Sequence, residues 1–432
     1  MKKIYVLLIA LGLAGVGYLL VGGGLLTPAV STPRSIYYAD NISPAHQAVI
    51  DRFNALHKGA IEVIPVNLPF EKFTTNERKE LLARSLRNKS DRIDVFSVDL
   101  IWVSRFSKWS EPLDEVIGRE ERDNILGSAL ESCYADGALV AVPLYLDIGM
   151  MYYRRDILQR LPDWQEVENR LKESVTWEEF LALRDRLGYR DHPYYAYPAK
   201  DYEGLVCNYF EMLAGQQEGP VDNHSMRLTG KAPLTALRMM VDFVRREAIS
   251  PPEVTEFDEN RCYDFMLTHD GVFWRGWPNF LENYRSFFPD TAKLGMIGRA
   301  ALPHFAGRPP RSVFGGWNLM ISKYSTGKPQ AMEFIRFLQS EEAQKTLFRM
   351  GGYLPANRKV YDDTTFMRQH PDLVYYRHLL DRGFHRPALK EYTRISDVIS
   401  HYVHRAITGE LTPDEALRSA SRMINAPRFR IE

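Results

Sequence analysis

Strand and helix patterns alternate near the start of the chain. The strand patterns lie at residues 34–39, 60–68 and 92–100, and the helix patterns between them lie at 43–57 and 77–88. This β-α-β-α-β succession predicts a mostly parallel sheet flanked by helices. Such sheets bind ligands beyond the carboxyl ends of their strands, so the residues that follow each strand are the first candidates for a site.

The rest of the chain continues as mixed strand and helix. A capping box at Thr176 and Glu179 predicts a helix that begins there and ends at Gly188. The length of 432 residues predicts two or more domains, and if these form two lobes, the absence of a flexible linker predicts that the chain crosses between them more than once. Further patterns predict a strand, turn and helix start at 140–158, helices at 234–247 and 328–350, and a buried strand at 312–322.

The first 30 residues differ from the rest. After two lysines, no charged residue occurs from Ile4 until Arg34, an apolar run long enough to span a bilayer. Thr27 and Ala29 offer small residues for a cleavage site, and no cysteine is present there to carry a lipid. Residues 1–30 are therefore predicted to be either a cleaved signal peptide or a membrane anchor, with membrane contact through residues 4–30, and both indicate export.

Composition excludes several classes of function. The 55 basic and 55 acidic side chains cancel and form no basic stripe, so no nucleic-acid partner is expected. No zinc-protease, serine-hydrolase, P-loop or dinucleotide-binding motif occurs, and no cofactor or metal is expected. Asp397, His401 and His404 have metal-ligand spacing on a predicted helix, but a solvated or pocket-edge face is the preferred interpretation. The three cysteines allow at most one disulfide, and packed thiols are expected at Cys133, Cys207 and Cys262.

Aromatic and carboxylate side chains occur together at the ends of predicted strands. Aromatic rings stack on the C–H faces of sugars, and carboxylates accept hydrogen bonds from hydroxyl groups. Any one tryptophan is explained equally well by core packing, but four such clusters together favour a carbohydrate surface. The clusters are Asp99 with Trp102, Tyr145 with Asp147, Trp274 with Trp277, and Trp317.

Two glycines interrupt the strand pattern "SVFGGWNLMIS" at residues 312–322, directly before Trp317. Glycine weakens a strand interior, so Gly315 and Gly316 indicate a bulge, a close approach of a ligand to the backbone, or both. On the ligand interpretation, Gly316→Val is expected to impair binding more than folding.

Several segments, in order along the chain, resemble the extracellular solute-binding proteins (family 1) of bacterial ABC sugar importers. The segment "YEGLVCNYFE" at 202–211 is similar to the narrower trehalose/maltose-binding group. The other segments are "DVFSVDLIWVSRFSKWSEPLDE" (94–115), "VAVPLYLDIGMMYYRRDIL" (140–158), "GVFWRGWPN" (271–279), "GGWNLMIS" (315–322) and "HRPALKEYTRIS" (385–396).

The resemblance implies a two-lobed α/β periplasmic-binding-protein fold (type II-like), with a ligand cleft between lobes that are each a mostly parallel sheet flanked by helices. The expected lobes are residues 34–146 plus 318–360 and residues 147–317 plus 361–432. Carried over to this sequence, the resemblance implies ligand contacts by Asn41, Asp99, Trp102, Tyr145, Asp147, Tyr202, Glu203, Trp277, Gly315, Gly316, Trp317 and Arg386.

Within that set, Asp99 and Asp147 are expected to accept hydrogen bonds from hydroxyl groups, and Arg386 to donate them. Trp277 and Trp317 are expected to be stacking platforms. Tyr145 would form a wall of the cleft, and the two glycines would let sugar approach the backbone. Trp102 would either stack on the ligand or pack under its loop, whereas Trp274 is expected to be core packing.

The resemblance also implies a function without catalysis. The chain would bind a di- or oligosaccharide such as trehalose or maltose by hinge closure and deliver it to the transmembrane subunits of an ABC permease. It would act as a monomer in the periplasm or on the outer face of the cytoplasmic membrane. A carbohydrate-active enzyme on a two-lobed scaffold and a membrane-tethered sugar sensor remain as alternatives.

Overall fold

The structure is a computed structural model that describes residues 33–70, 72–90, 92–216, 228–285, 287–389 and 391–426. The predicted signal or anchor at residues 1–30 lies outside the described residues. Within these ranges, no helix is both long enough and apolar enough to cross a membrane.

Twelve strands lie in the described residues. Between residues 34 and 100 every predicted strand and helix is present, with its ends displaced by at most three residues. The strands are β1 Arg34–Asp40, β2 Ile61–Asn67, β3 Val95–Asp99, β4 Tyr134–Ala135, β5 Ala138–Leu139, β6 Val142–Ile148, β7 Met150–Arg154, β8 Tyr195–Ala196, β9 Phe273–Gly276, β10 Ile297–Ala300, β11 Ser312–Ile321 and β12 Gly383–Phe384.

Several helices begin where a side chain satisfies a free N–H group, as at Ser43, Thr74 and Thr412. The predicted capping box at Thr176 and Glu179 is present, and Gly188 ends that helix in the left-handed conformation. The α-helices are α1 Pro44–Leu56, α2 Thr75–Arg87, α3 Val103–Phe106, α4 Arg119–Asp123, α5 Gly127–Glu131, α6 Arg155–Leu158, α7 Trp164–Glu173, α8 Trp177–Leu187, α9 Glu203–Ala214, α10 Lys231–Arg245, α11 Glu259–Thr268, α12 Phe280–Tyr284, α13 Thr291–Gly295, α14 Lys328–Leu338, α15 Glu341–Gly351, α16 Arg358–Asp362, α17 Thr364–Gln369, α18 Pro371–Leu380, α19 Tyr392–Ile407 and α20 Pro413–Asn425. Three 3₁₀ turns lie at Leu100–Trp102, Ser107–Trp109 and Pro252–Glu256.

One predicted helix is wrong in extent. Residues 328–350 form two helices, α14 and α15, because the hydroxyl of Ser340 accepts a hydrogen bond from the N–H of Ala343 and starts a second helix. The apolar spacing is also interrupted there, because Glu341 and Glu342 occupy the positions three and four residues after Leu338.

The strands form two main sheets. The first has the order β12-β11-β3-β1-β2, with β6 also paired to β11, and the second has the order β10-β7-β9-β8. In the first sheet the β1–β2, β1–β3 and β11–β12 pairs are parallel. The expectation of a mostly parallel second sheet is wrong, because β7 pairs antiparallel with both β9 and β10. Each of those strands spans only four or five residues, and its direction is set by distant partners rather than by a local βαβ unit.

The chain passes between the sheets at Gly149. Strand β6 belongs to the first sheet and β7 to the second, and Gly149 alone separates them. Its N–H donates to the carbonyl of Val313 at the start of β11, so the two crossing segments are tied together. The stated division into lobes at residues 146/147 and 317/318 stays a prediction.

Candidate functional site

The register around β11 brings five predicted site residues to one face. Trp317 lies opposite Asp99 on β3 and opposite Tyr145 on β6, and Gly315 lies opposite Asp147. Residues directly opposite in a ladder share a face, as do alternate residues of one strand. All five therefore line the same face of the sheet, and they border a cavity of about 720 Å³.

The bulge predicted in the "SVFGGWNLMIS" strand is present, and the approach of a ligand to its backbone stays a prediction. The β11–β6 register shifts between Trp317 and Asn318, so a bulge lies beside the cavity. A methyl group on Gly315 would lie 2.7 Å from Cζ3 of Trp277. At Gly316, φ is +131° and a methyl group would lie 2.5 Å from the carbonyl oxygen of Tyr145.

The structure therefore argues against the expectation that Gly316→Val impairs binding more than folding. The backbone conformation of Gly316 and its contact with the neighbouring strand both exclude a side chain. Both glycines border the cavity; main-chain atoms exclude a side chain at Gly316, whereas the atom nearest to a methyl group on Gly315 belongs to the Trp277 ring.

Trp317 is fixed from behind by a buried ion pair. The guanidinium of Arg78 lies 4.1 Å from the centre of the Trp317 ring and 4.2 Å from the Phe70 ring. Nη2 of Arg78 donates to Oδ1 of Asp40 at 2.8 Å, and Tyr38 donates to the other oxygen of that carboxylate at 2.5 Å. Because the guanidinium is planar, it supports the aromatic ring as a flat base.

Trp277 has the same kind of support in the second sheet. The guanidinium of Arg275 lies 3.8 Å from the centre of the Trp277 ring, and its Nη2 donates to Oε1 of Glu211 at 2.9 Å. The indole Nε1 donates to Oε1 of Glu259 at 3.2 Å. The carbonyl oxygen of Trp277 accepts a hydrogen bond from Tyr152 at 2.7 Å, so the main chain under the ring is held as well.

Arg386 joins carboxylates from two parts of the chain. Its Nη2 donates to Oδ1 of Asp99 at 2.9 Å and its Nη1 donates to Oε1 of Glu203 at 2.6 Å. Tyr392 donates to the same oxygen of Glu203 at 2.6 Å. Burial raises the pKa of Glu203, and the charge of Arg386 opposes that shift. Arg386 lines the cavity, but these two carboxylates already take hydrogen bonds from its terminal nitrogens.

Asp147 is the carboxylate with the fewest partners at the site. Its exposed fraction is 6%, and its Oδ1 is buried without a hydrogen-bond partner among the described residues. Burial raises the pKa of Asp147, and the nearby charge of Asp99 raises it further, while Arg275 acts in the opposite direction.

Eleven of the twelve predicted site residues line this one cavity. Tyr202 is among them, and its hydroxyl donates a hydrogen bond to Oε2 of Glu259 at 2.5 Å. Asn41 also lines the cavity, and its Oδ1 accepts a hydrogen bond from the N–H of Phe70 at 3.3 Å. Trp102 is the exception: it is buried, does not line the cavity, and has the ammonium of Lys79 5.0 Å from its ring centre. Its ligand role is corrected to packing under the loop. Trp274 is fully buried, as expected.

The sequence interpretation missed the residues behind the two platforms. Arg78 and Glu211 lie on helices distant in sequence, and no local pattern marks them, whereas Asp40 had a usable signal because it directly follows the predicted strand at 34–39. Arg275 had a usable signal, because it stands two residues before Trp277 and alternate residues of an extended segment share a face.

Two other pockets differ from this cavity in volume and in lining. A cavity of about 30 Å³ beside Trp177 holds little more than one water molecule. An outer groove of about 930 Å³ is lined in part by Asp397 and His401, which places them on a pocket-edge face as preferred. Asp397 pairs with Lys79, His401 pairs with Asp201, and His404 forms a hydrogen bond with the carbonyl of Ala199. Among the described residues, no cluster of side chains that could hold a metal ion occurs.

The three cysteines are free and buried, which confirms their expected packing as thiols. Burial raises the pKa of each thiol, so none has the features of a reactive nucleophile.

A two-lobed α/β chain with its cavity beside the crossing strands, and with two aromatic platforms bordering that cavity, defines a solute-binding protein. The family model for bacterial extracellular solute-binding proteins matches residues 39–345, and the chain belongs to that family. The family indicates export from a bacterial cell and a binding role rather than catalysis, as the solute-binding component of an ABC transporter.

Relatives agree with this assignment. A Deinococcus radiodurans protein named "Probable ABC transporter-binding protein" is 24% identical over 351 residues, 80% of this chain and 82% of the relative. The structure of maltose-bound T. maritima MalE3 is 26% identical with a TM-score of 0.81, covering 90% of this chain and 99% of that one. A tagatose-bound solute-binding protein from Thermotoga lettingae is 21% identical with a TM-score of 0.78, covering 91% and 99%, and it supports the fold alone.

Proposed function

We propose that this chain binds a di- or oligosaccharide such as maltose or trehalose in the 720 Å³ cavity and delivers it to the membrane subunits of an ABC permease. One observation carries the proposal: the rings of Trp317 and Trp277 both border a cavity whose floor also presents Asp99 and Asp147. Sugars need apolar faces and hydroxyl-binding groups in the same site, and this set supplies both.

The same residues support hinge closure over the ligand. Asp99 lies on β3 of the first sheet and in the first predicted lobe, whereas Trp277 follows β9 of the second sheet and lies in the second predicted lobe. Arg386 connects Asp99 with Glu203 across the predicted lobe boundary, so a change of lobe angle alters a contact within the site itself. The division at residues 146/147 and 317/318 is part of this proposal.

The direct test is a thermal-shift and tryptophan-fluorescence screen of mono- and disaccharides on the folded chain. A sugar at 100 times its Kd stabilises the native state by about 2.7 kcal/mol, which raises the Tm measurably. The sugar should be recovered unchanged after incubation. If neither Tm nor fluorescence responds to any sugar in a broad panel, the proposal fails.

A separate measurement addresses export. We propose that residues 1–30 direct the chain across the membrane, with the mature protein acting in the periplasm or at the outer face of the membrane. Intact mass of the protein from native membranes and periplasm distinguishes a cleaved signal from a retained anchor. A retained anchor would favour tethered delivery or sensing over a freely diffusing protein.

A further inference from the structure

The cavity is richer in carboxylates than in cations. Among the described residues that line it, seven are acidic, and the two basic residues are Arg261 and Arg386. Arg386 is shared between Asp99 and Glu203, and Arg261 is exposed. The deep part of the cavity therefore has a deficit of positive charge.

Asp147 is the residue where that deficit is concentrated. It is buried on the cavity face of β6, with one oxygen unpartnered, and Asp99 is its charged neighbour. Arg275, whose charge opposes that of Asp147, donates to Glu211 through Nε and Nη2, and its Nη1 is buried without a hydrogen-bond partner among the described residues. A buried carboxylate without a cation is strongly unfavourable, and a hydroxyl group supplies a hydrogen bond but no compensating charge.

We propose that the sugar held by this site carries a protonated amine, as amino sugars do, and that Asp147 together with Asp99 receives the ammonium group. The inference rests on the proposed function and names the class of sugar. The two indole rings do not take this role, because each already has an arginine on one face. Among the described acidic residues that line the cavity, Asp147 has a buried oxygen without a hydrogen-bond partner, which makes it the group to receive a positive charge.

Matched sugar pairs test the inference by isothermal titration calorimetry on the folded chain. The pairs are cellobiose with the β-1,4-linked glucosamine disaccharide, and trehalose with 2-amino-2-deoxytrehalose. The titrations are done at about pH 6, where the amine is protonated because the pKa of a primary amine ordinarily lies higher. The amine is expected to bind at least about tenfold more tightly than its neutral partner in one pair or more, a difference of about 1.4 kcal/mol. N-acetylation, which removes the charge and keeps the nitrogen, should abolish that advantage.

The variant Asp147→Asn keeps the shape of the side chain and removes its charge. It should lose the preference for the amine, measured as the ratio of the two affinities within each pair, whatever its effect on the neutral partner. Asp136→Asn makes the same chemical change at an exposed position outside this cavity and should keep the preference.

The outcomes separate the two proposals. If neutral sugars bind and no amine binds better than its partner, the inference is overturned while the proposed function stands. If no sugar of either kind binds, both are overturned. If Asp147→Asn keeps the full preference for the amine, the assignment to Asp147 is wrong.

Discussion

Gly315 and Gly316 are adjacent on β11, yet the structure predicts opposite effects of replacing them by alanine. A methyl group on Gly316 meets main chain, the carbonyl oxygen of Tyr145 at 2.5 Å and Cα of Leu146 at 3.1 Å. A methyl group on Gly315 meets side chains, with Cζ3 of Trp277 the nearest atom at 2.7 Å. Main chain in a sheet cannot move without breaking its ladder, whereas an indole ring can tilt.

The magnitudes follow from these contacts. At Gly316, a side chain at φ +131° costs about 1–3 kcal/mol, and overpacking against β6 adds a further amount of about 1–3 kcal/mol. For a lobe of roughly 150–250 residues, each kcal/mol lowers Tm by about 2–4 °C. At Gly315, the ring of Trp277 must retreat by several tenths of an ångström, and the loss of a stack worth about 0.5–1.5 kcal/mol lowers affinity up to about tenfold.

Two assays separate these effects. Thermal unfolding followed by circular dichroism, without ligand, should show a large loss of Tm for Gly316→Ala and a small change for Gly315→Ala. Fluorescence titration with the best sugar from the screen should show weakened binding for Gly315→Ala. A wild-type Tm for Gly316→Ala, or wild-type affinity for Gly315→Ala, would refute the reasoning.

Three further perturbations test other parts of the site. Trp277→Ala should lower sugar affinity by about tenfold or more and remove much of the ligand-induced fluorescence change, because it deletes one platform. Asp147→Asn should unfold at higher urea concentration than the wild type at neutral pH. The raised pKa of Asp147 means that the folded state binds its proton more tightly, so wild-type stability falls as pH rises above the ordinary aspartate value of about 3.9, and the difference should vanish below it. Asp397→Asn should weaken sugar binding slightly, since its pair with Lys79 at 3.7 Å joins the predicted lobes but is half exposed and is worth about 1 kcal/mol at most. A double-mutant cycle with Lys79→Met measures the coupling energy between Asp397 and Lys79. A coupling energy of zero would contradict the claim that this ion pair joins the predicted lobes.

Local signals in the sequence predicted local structure well. The capping box at Thr176 fixes where a helix begins because its hydrogen bonds join residues three apart in the chain. The strand end at Asp99 was predictable for the same reason, since the change from apolar to polar residues is local, whereas Asp147 lies within β6, which continues to Ile148. That both belong to one cavity depended on the resemblance to a known family, because their meeting requires the β3–β11–β6 register.

Contacts between residues distant in sequence account for the sequence predictions that were wrong. The pairing direction of β7 depends on β9 and β10, which are more than a hundred residues further along the chain. Trp102 follows the same strand as Asp99, but the 3₁₀ turn at Leu100–Trp102 directs its ring into the core beside Lys79 rather than into the cavity. Spacing after a strand therefore marks a candidate residue, while the conformation of the turn decides which face its side chain occupies.

The two platforms repeat one arrangement in unrelated sequence contexts. In each, a tryptophan lies on an arginine and the arginine is held by a buried carboxylate: Trp317 on Arg78 with Asp40, and Trp277 on Arg275 with Glu211. Buried ion pairs add little net stability, because desolvation offsets most of their attraction. Their value here lies in orientation, since a planar guanidinium fixed by a carboxylate holds the ring flat before any ligand arrives. A ring that is already ordered loses less conformational entropy on binding, so these ion pairs contribute to affinity through preorganisation rather than to the stability of the fold.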